Sequence, residues 1–343
     1  MRTLTERQLN RALLARQLLL ERARLPLPRA LERMGTLQAQ YAPSMYVGLW
    51  SRVEGFERDD LTRALEARTV VQGTLMRTTI HLVSAADYWP LAVAVRQARR
   101  DSWMKVIGSR GLTVAELEAA AGRLRARLRE GPVRRAELVA IVGKGNAIPA
   151  GLWLDLVRVP PSGTWERRRA DLYAAAEDWL GPPSVTGEAA LEHLVRRYLT
   201  GFGPASVADI ADWGGLHPSA VTPVLERIEL RRFVDERGQI LVDLPRAPLP
   251  DPDTPAPVRF LPTWDAMLLV HTRRKGVLAE AQRPLIFNTK TPHSVCTFLV
   301  DGKVAGTWRY QRGKVAVAPF EPLDRATADE VAAEADRLVV MHA

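Results

Sequence analysis

Two glutamines separated by one small residue are the side chains of this sequence whose type and spacing first suggest chemistry. Gln38 and Gln40 flank Ala39 within the stretch Thr36–Arg52. A helical pattern enters this stretch from its N-terminal side, and we expect Pro43 to end it. Residues i and i+2 point apart within a helix, but at a frayed helix end or on an extended turn both amides can reach one face. The spacing therefore fits either a polar helix end that caps itself or a paired amide site.

The other polar side chains form no familiar metal-binding or catalytic pattern. His293 and Cys296 have a ligand-like spacing, but no second pair accompanies them. The segment Gly143–Gly145 lacks the upstream glycine and the Ser/Thr of a phosphate-binding loop. No serine lies in a nucleophile-elbow pattern. We therefore expect neither a metal nor a cofactor.

The composition is that of an ordinary globular protein. The chain has 343 residues, of which 47% are hydrophobic and 25% charged. No apolar stretch approaches the roughly 18 residues that a membrane span needs. The N-terminus carries no secretory apolar core, and the single cysteine excludes an internal disulfide framework. These features predict a cytoplasmic protein without a membrane partner.

The charge is strongly basic. Lys and Arg number 48 against 39 Asp and Glu, a net charge of +9, and nearly all of the basic residues are arginines. A basic protein attracts polyanions, and nucleic acid is the first candidate. The alternative is a compositional bias toward Ala, Leu and Arg that reflects no partner.

One order of elements, helices followed by two β-rich stretches, recurs three times. We assign the copies to residues 1–107, 108–183 and 184–245. The third is the clearest, because Val207–Leu216 has small residues that let two helices approach and a glycine pair that turns the chain. Helices followed by a wing are typical of winged-helix modules, which bind DNA. The alternative is that these modules serve as dimer or scaffold units.

Within these copies the apolar spacing predicts individual elements. In the first copy we expect a helix over residues 4–24, a second from residue 28 through residue 36, and a third over Arg58–Ala67. A β-hairpin over residues 69–83 should follow them. In the second copy we expect a short helix over Ala150–Val157.

The last part of the chain has a different composition. Residues 246–257 are proline-dense and acidic, and we interpret them as a linker. Residues 258–343 contain several predicted strands, a tight turn at Asp301–Gly302 and a closing amphipathic helix over Asp324–Met341. The predicted fold class is α+β and mainly α, with tandem winged-helix domains and a C-terminal, mainly-β domain closed by a helix.

Five blocks of the sequence resemble the winged-helix DNA glycosylases of the AlkZ-like family and appear in the family's order. The blocks are Thr36–Arg52, Gly73–Val83, Tyr198–Asp209, Phe260–His271 and Leu299–Trp308. They cover nearly the whole chain. The resemblance implies tandem winged helices arranged in a C-shape around DNA. It also implies an enzyme of a family whose best-known members remove bulky cationic alkylpurines and unhook interstrand crosslinks.

The resemblance also implies roles for single residues. The family's catalytic motif is Gln, an aliphatic residue and Gln, which Gln38-Ala39-Gln40 matches with a small middle residue, while a sister branch has Asp in the second position. Gln38 and Gln40 are therefore the expected catalytic residues. Six further residues are candidates for contact with DNA: Tyr41, Arg77, His81, Trp264, Asp265 and His271. Solvated wing, core and helix-cap positions remain the alternatives for Arg77, Trp264 and Asp265, respectively.

Amide chemistry would limit such an enzyme to labile bases. A purine alkylated at N7 or N3 carries positive charge and leaves without a general acid, so the protein must only hold a water and stabilise an oxocarbenium-like sugar. An amide can do both weakly, but it cannot act as a strong base. We expect a monomeric, monofunctional glycosylase acting on double-stranded DNA with alkylated purines. The alternative is a non-catalytic transcriptional regulator that binds one operator sequence as a symmetric dimer.

Overall fold

The computed structural model of the chain describes residues 1–107, 112–145, 147–269, 275–288 and 293–343. These residues form an α+β fold that is mainly helical, as the sequence predicts. Among them, no helix combines the length and the apolar character needed to cross a membrane. The same residues contain no group of three or more His, Cys, Asp and Glu side chains arranged to hold a metal ion.

The first 107 residues form a set of short helices, a hairpin and one long helix. In chain order the elements are β1 (Arg2–Leu4), α1 (Glu6–Arg16), α2 (Leu27–Met34), β2 (Leu37–Gln38), α3 (Ala42–Trp50), α4 (Arg58–Glu66), β3 (Val70–Thr74), β4 (Ile80–Ser84) and α5 (Ala85–Ile107). The predicted third helix and the predicted hairpin are confirmed as α4 and the β3–β4 pair.

Three predictions about the first helices are wrong. The helix expected to reach residue 24 ends at Arg16, and Leu18 then adopts a left-handed φ of 57° that no helix continues. The second helix ends before residue 36, because Gly35 takes φ 87°. Pro43 does not end a helix but lies in the first turn of α3, where its missing N–H costs no hydrogen bond.

The second module contains α6 (Val114–Leu128), β5 (Val133–Arg134), α7 (Arg135–Val142), α8 (Ala147–Trp153), β6 (Leu156–Arg158), β7 (Leu172–Ala175) and α9 (Ala176–Leu180). The helix predicted to reach residue 157 ends at Trp153, since Leu156–Arg158 pairs as a strand with both β3 and β7. Sheet pairing between distant segments has overridden the local helical pattern there.

The third module is the helix-turn-helix that the sequence predicts. It contains α10 (Gly187–Phe202), α11 (Val207–Gly214), α12 (Pro218–Arg227), β8 (Arg231–Asp235) and β9 (Ile240–Asp243). Ser206 forms a capping box with Asp209 at the start of α11, and Gly215 ends that helix in a left-handed conformation. Trp213 is buried against Tyr198, with ring centroids 5.5 Å apart.

The C-terminal part is mainly β and is closed by a helix, as predicted. Its elements are β10 (Arg259–Leu261), α13 (Ala266–Leu269), α14 (Arg283–Ile286), β11 (Phe287–Asn288), β12 (His293–Ser294), β13 (Cys296–Val300), β14 (Lys303–Gln311), β15 (Lys314–Pro319) and α15 (Arg325–His342). The strands β10, β13, β14 and β15 form one antiparallel sheet in this order.

Two sheets join modules that are separate in sequence. The wings of the first two modules form a single six-stranded sheet in the order β2-β4-β3-β6-β7-β5, because β3 pairs with β6 at Gln72↔Arg158 and Gly73↔Val157. The N-terminal strand β1 pairs in parallel with β8 of the third module. The domain boundaries drawn from the sequence stay a prediction, and the described modules share strands across them.

Gly73 gives a test of the shared sheet. It lies at the centre of the β3–β6 contact, and a Cβ added there would stand 2.5 Å from Cε2 of the buried Tyr88. We expect Gly73→Ala to lower the free energy of unfolding by about 1–3 kcal/mol through overpacking. Thermal or urea denaturation measures this loss.

The matched control is Gly122→Ala on the exposed side of α6, where an added Cβ meets nothing within 4 Å. That variant should be more stable than the wild type by up to about 1 kcal/mol, because alanine favours the helix. Equal stabilities for the two variants would contradict the close approach of β3 to Tyr88.

Candidate active site

The glutamine pair lies at the edge of the shared sheet, with Gln38 at the end of β2 and Gln40 in the bend that follows it. Gln38 in β2 pairs with His81 in β4, and the N–H of Ala39 donates to the carbonyl of Ile80 at 2.7 Å. Leu37 and Ala39 are buried in the core on one side of this strand. Because side chains alternate along extended backbone, Gln38 and Gln40 are directed away from that core. The extended alternative is therefore correct, and the helix-end alternative is wrong.

The two amides differ in exposure but are both free of internal bonds. Gln38 is buried, whereas Gln40 is exposed. Within the described part of the chain, neither side chain has a hydrogen-bond partner. Both amides are therefore available to a group that arrives from outside.

His81 lies beside Gln38 in the interior of the protein. Its Nδ1 is 3.0 Å from the carbonyl oxygen of Thr79, so this nitrogen carries the proton and donates. Burial lowers the pKa of His81 to about 3, and the positive charge of Arg77 acts in the same direction. The imidazole is therefore neutral at neutral pH, and its 2% exposure leaves it no access to a phosphate in this conformation.

Arg77 connects the first hairpin to the helix-turn-helix of the third module. It has a left-handed φ of 52° in the β3–β4 turn, and its guanidinium donates to the carbonyl of Trp213 near the end of α11. Burial lowers its pKa to about 10, while the nearby Asp212 opposes this shift. Arg77 is thus packed between two modules, and the alternative of a solvated wing position is not what the structure shows.

Tyr41 projects at the surface next to the second wing. The side chain of Tyr41 is 46% exposed, and Arg168 Nη1 donates to its hydroxyl at 3.4 Å. The Arg168 guanidinium also lies 5.3 Å from the ring centroid of Trp165. Arg167, Arg168 and Arg169 are all exposed in this loop. The sequence reasoning missed these arginines, although three consecutive basic residues in a predicted wing were a readable signal.

Gln40 also lines a pocket that the sequence did not reveal. The pocket has a volume of about 210 Å³ and lies between the β3–β4 hairpin and the second module. Its polar lining includes Thr78, Arg135, Arg158 and Tyr173. The pairing of β3 with β6 brings Arg158 to this place, so no local pattern could have assigned it.

Asp265 and Trp264 lie where the fourth sequence block meets the first. The buried carboxylate of Asp265 accepts from Arg52 Nη2 at 2.9 Å and from the N–H of Met267 at 3.1 Å, which makes it a helix cap and a partner of Arg52. Trp264 is half-buried at φ 63°, and its N–H donates to Ser294 Oγ at 2.8 Å. His271 lies outside the described residues. DNA contact by Trp264 and His271 stays a prediction.

Comparison with known proteins agrees with this arrangement. The family described as "DNA glycosylase AlkZ-like" matches residues 31–340. Among solved structures, the DNA glycosylase AlkZ of Streptomyces sahachiroi superposes with a TM-score of 0.81 over 99% of this chain and 96% of that chain. The two sequences are 17% identical, so this likeness concerns the fold. No curated protein sequence gives a significant match.

The family match extends over both glutamines, the shared sheet and most of the C-terminal helix. The resemblance drawn from five sequence blocks is therefore confirmed over nearly the whole length. The chain belongs to the AlkZ-like DNA glycosylase family and is, as a member of it, a DNA glycosylase that hydrolyses N-glycosidic bonds.

Proposed function

We propose that this enzyme excises purines alkylated at N7 or N3 from double-stranded DNA, with Gln38 and Gln40 at the reacting sugar. The observation that carries the proposal is the pair of unbonded amides at one sheet edge, with Gln38 at the end of β2 and Gln40 in the following bend, where it lines the pocket. One amide oxygen can accept a hydrogen bond from the attacking water, and both can face the positive charge that develops on the sugar.

The charge state of the histidine beside Gln38 supports a cationic leaving base. His81 is neutral, with a pKa of about 3, and its ring is buried. This imidazole is no cationic acid at neutral pH, so the proposal calls for a base that is already a good leaving group. An alkylated purine cation meets this condition, whereas a neutral base does not.

The exposure of Gln40 supports the inclusion of bulky adducts and interstrand crosslinks among the substrates. Many base-flipping enzymes require the lesion to enter a closed, base-shaped cavity. An exposed amide at the edge of an open pocket makes no such demand. A bulky group can then remain outside while the sugar contacts the amides. Membership of a glycosylase family argues against the alternative of a non-catalytic regulator.

We further propose that the enzyme acts as a monomer in the cytoplasm. Both amides and the pocket beside them come from one chain, so the site needs no second copy. The single cysteine is free and half-buried, which fits a protein that does not depend on an oxidising compartment.

Substitution of the glutamines tests the proposed site. On a duplex with a single labelled N7-methylguanine, we expect the wild type to form abasic sites under single-turnover conditions. Gln38→Ala and Gln40→Ala should each lower the rate by about 10- to 1,000-fold, since each removes a polar group aimed at the transition state. The double variant should be no slower than the product of the two effects.

The matched control is Gln239→Ala, an exposed glutamine that lines a different pocket together with Glu6 and Asp235. It should excise at the wild-type rate. Full excision by Gln38→Ala would remove this residue from the site, and loss of activity in the control would show that the assay reports folding.

The neutral state of His81 gives a separate test by pH. The folded-state pKa of about 3 lies below the ordinary value of 6.5, so the imidazole gains no proton between about pH 5 and pH 8. We expect the ratio of wild-type to His81→Gln excision rates to be constant over this range. Taking the ratio cancels any ionisation of the lesion itself. A ratio that changes near pH 6.5 would show that His81 takes part in proton transfer.

A further inference from the structure

Arg158 is a cation without an acidic partner in the pocket that Gln40 lines. Other buried arginines are paired with carboxylates: Arg16 with Asp243 at 2.7 Å and Arg52 with Asp265 at 2.9 Å. Among the described residues, no carboxylate lies within 4 Å of the Arg158 guanidinium. Its Nη1 donates to Thr74 Oγ1 at 3.2 Å, and its Nε is buried with no partner.

The surroundings of Arg158 do not compensate its charge. The guanidinium carbon lies 5.4 Å from the ring centroid of Tyr173, which is a weak contact in energetic terms. Burial lowers the pKa of Arg158, Tyr173 opposes the shift, and the positive charge of Arg135 lowers the pKa further. Two cations therefore approach one pocket whose lining contains no Asp or Glu. Such a pocket favours an anion.

The polar groups in this pocket suit a tetrahedral oxyanion. A guanidinium presents several N–H donors in a planar fork, which matches phosphate oxygens. The hydroxyls of Thr74 and Thr78 and the phenol of Tyr173 add neutral donors around the same space. In duplex DNA, the anion offered beside every sugar is the phosphodiester.

We propose that Arg158, assisted by Arg135 and Thr74, binds a backbone phosphate that flanks the damaged nucleotide. This inference rests on the proposed function, because it places the phosphate next to the sugar that Gln40 contacts. The same charges exclude the departing alkylpurine from the pocket, since a guanidinium repels a cationic base. The pocket thus fixes which part of the nucleotide lies on each side of Gln40: the backbone toward Arg158 and the leaving base away from it.

A double-mutant cycle between protein and DNA tests the contact. Three duplexes carry one N7-methylguanine each, with either natural phosphates or a neutral methylphosphonate immediately 5′ or 3′ of the lesion. Wild-type binding should weaken by about 10- to 100-fold for one of the two methylphosphonates, as expected for a charged hydrogen bond. Arg158→Met should show the same loss on the natural duplex and no further loss on that methylphosphonate. If the methylphosphonate weakens binding by Arg158→Met as much as it weakens binding by the wild type, the two effects are additive and the proposal is overturned.

Salt dependence gives a readout that does not need excision. Binding of an undamaged duplex should show a salt slope that is shallower by about 1 for Arg158→Met than for the wild type. Arg158→Lys should keep most of the slope, and both variants should unfold at a wild-type temperature before they are used. If the slope changes but wild-type N7-methylguanine is never excised, the proposed substrate is wrong while the phosphate contact stands. An unchanged slope overturns the contact.

Inorganic phosphate separates a backbone phosphate from a free anion. Thermal stabilisation of the wild type by inorganic phosphate, absent from Arg158→Met and accompanied by no methylphosphonate effect, would assign the pocket to a free anion and overturn the proposal. A methylphosphonate effect confined to one flanking position supports it and also says on which side of the lesion Arg158 lies.

Discussion

The antiparallel contact between β3 and β6 is the constraint on which the candidate site depends. Only Gln72↔Arg158 and Gly73↔Val157 pair across it, yet it turns the wings of two modules into one sheet. The contact is reinforced by Gln72 Nε2, which donates to the carbonyl of Gly163 at 2.8 Å. Without this contact, Gln40 and Arg158 would belong to separate surfaces. With it, Gln40 and Arg158 line one pocket.

The buried arginines of the core have acidic partners, whereas the described arginines of this pocket do not. Buried pairs such as Arg16–Asp243 and Arg52–Asp265 join segments more than 200 residues apart and neutralise each other. Breaking a pair of this kind leaves an uncompensated charge in the interior, at a cost of about 3–5 kcal/mol. By contrast, Arg135 and Arg158 lie beside Gln40 without carboxylates in the described structure. These two arginines thus leave uncompensated positive charge where a polyanion would approach the amides.

The sequence predicts much of the local structure and little of the assembly. The helix-turn-helix and the β3–β4 hairpin follow from spacing and turn residues, and the structure confirms them. The Gln38–Gln40 motif was identified through resemblance, because two amides one residue apart have no distinctive signature alone. Pro43 was misread because a proline ends one helix and begins another equally well, and only the conformation of Gly35 decides.

Long-range contacts explain the remaining differences between the sequence predictions and the structure. In a chain this rich in arginine, the local sequence does not distinguish the roles of Arg77 and Arg158. Arg77 donates to a carbonyl 136 residues away, whereas Arg158 has no acidic partner in the described structure. The sequence around Asp265 fits either a site carboxylate or a cap. The structure shows it bonded to the distant Arg52 and to the start of a helix, and a role in the site stays a prediction. Strand pairing and ion pairing are settled by tertiary packing, which local propensity does not encode.

Site-directed cross-linking tests most directly whether the pocket lined by Gln40 and Arg158 faces the lesion. A Gln40→Cys variant would be offered a duplex with a disulfide-activated thiol tethered at the damaged nucleotide. The native Cys296 is half-buried, and desolvation raises the pKa of its thiol to about 12, so the wild type supplies the background. We expect rapid cross-linking through Gln40→Cys and none through Gln239→Cys, which lies at a different pocket. Cross-linking through Gln239→Cys, or its absence from a Gln40→Cys protein that still binds the duplex, would contradict this expectation.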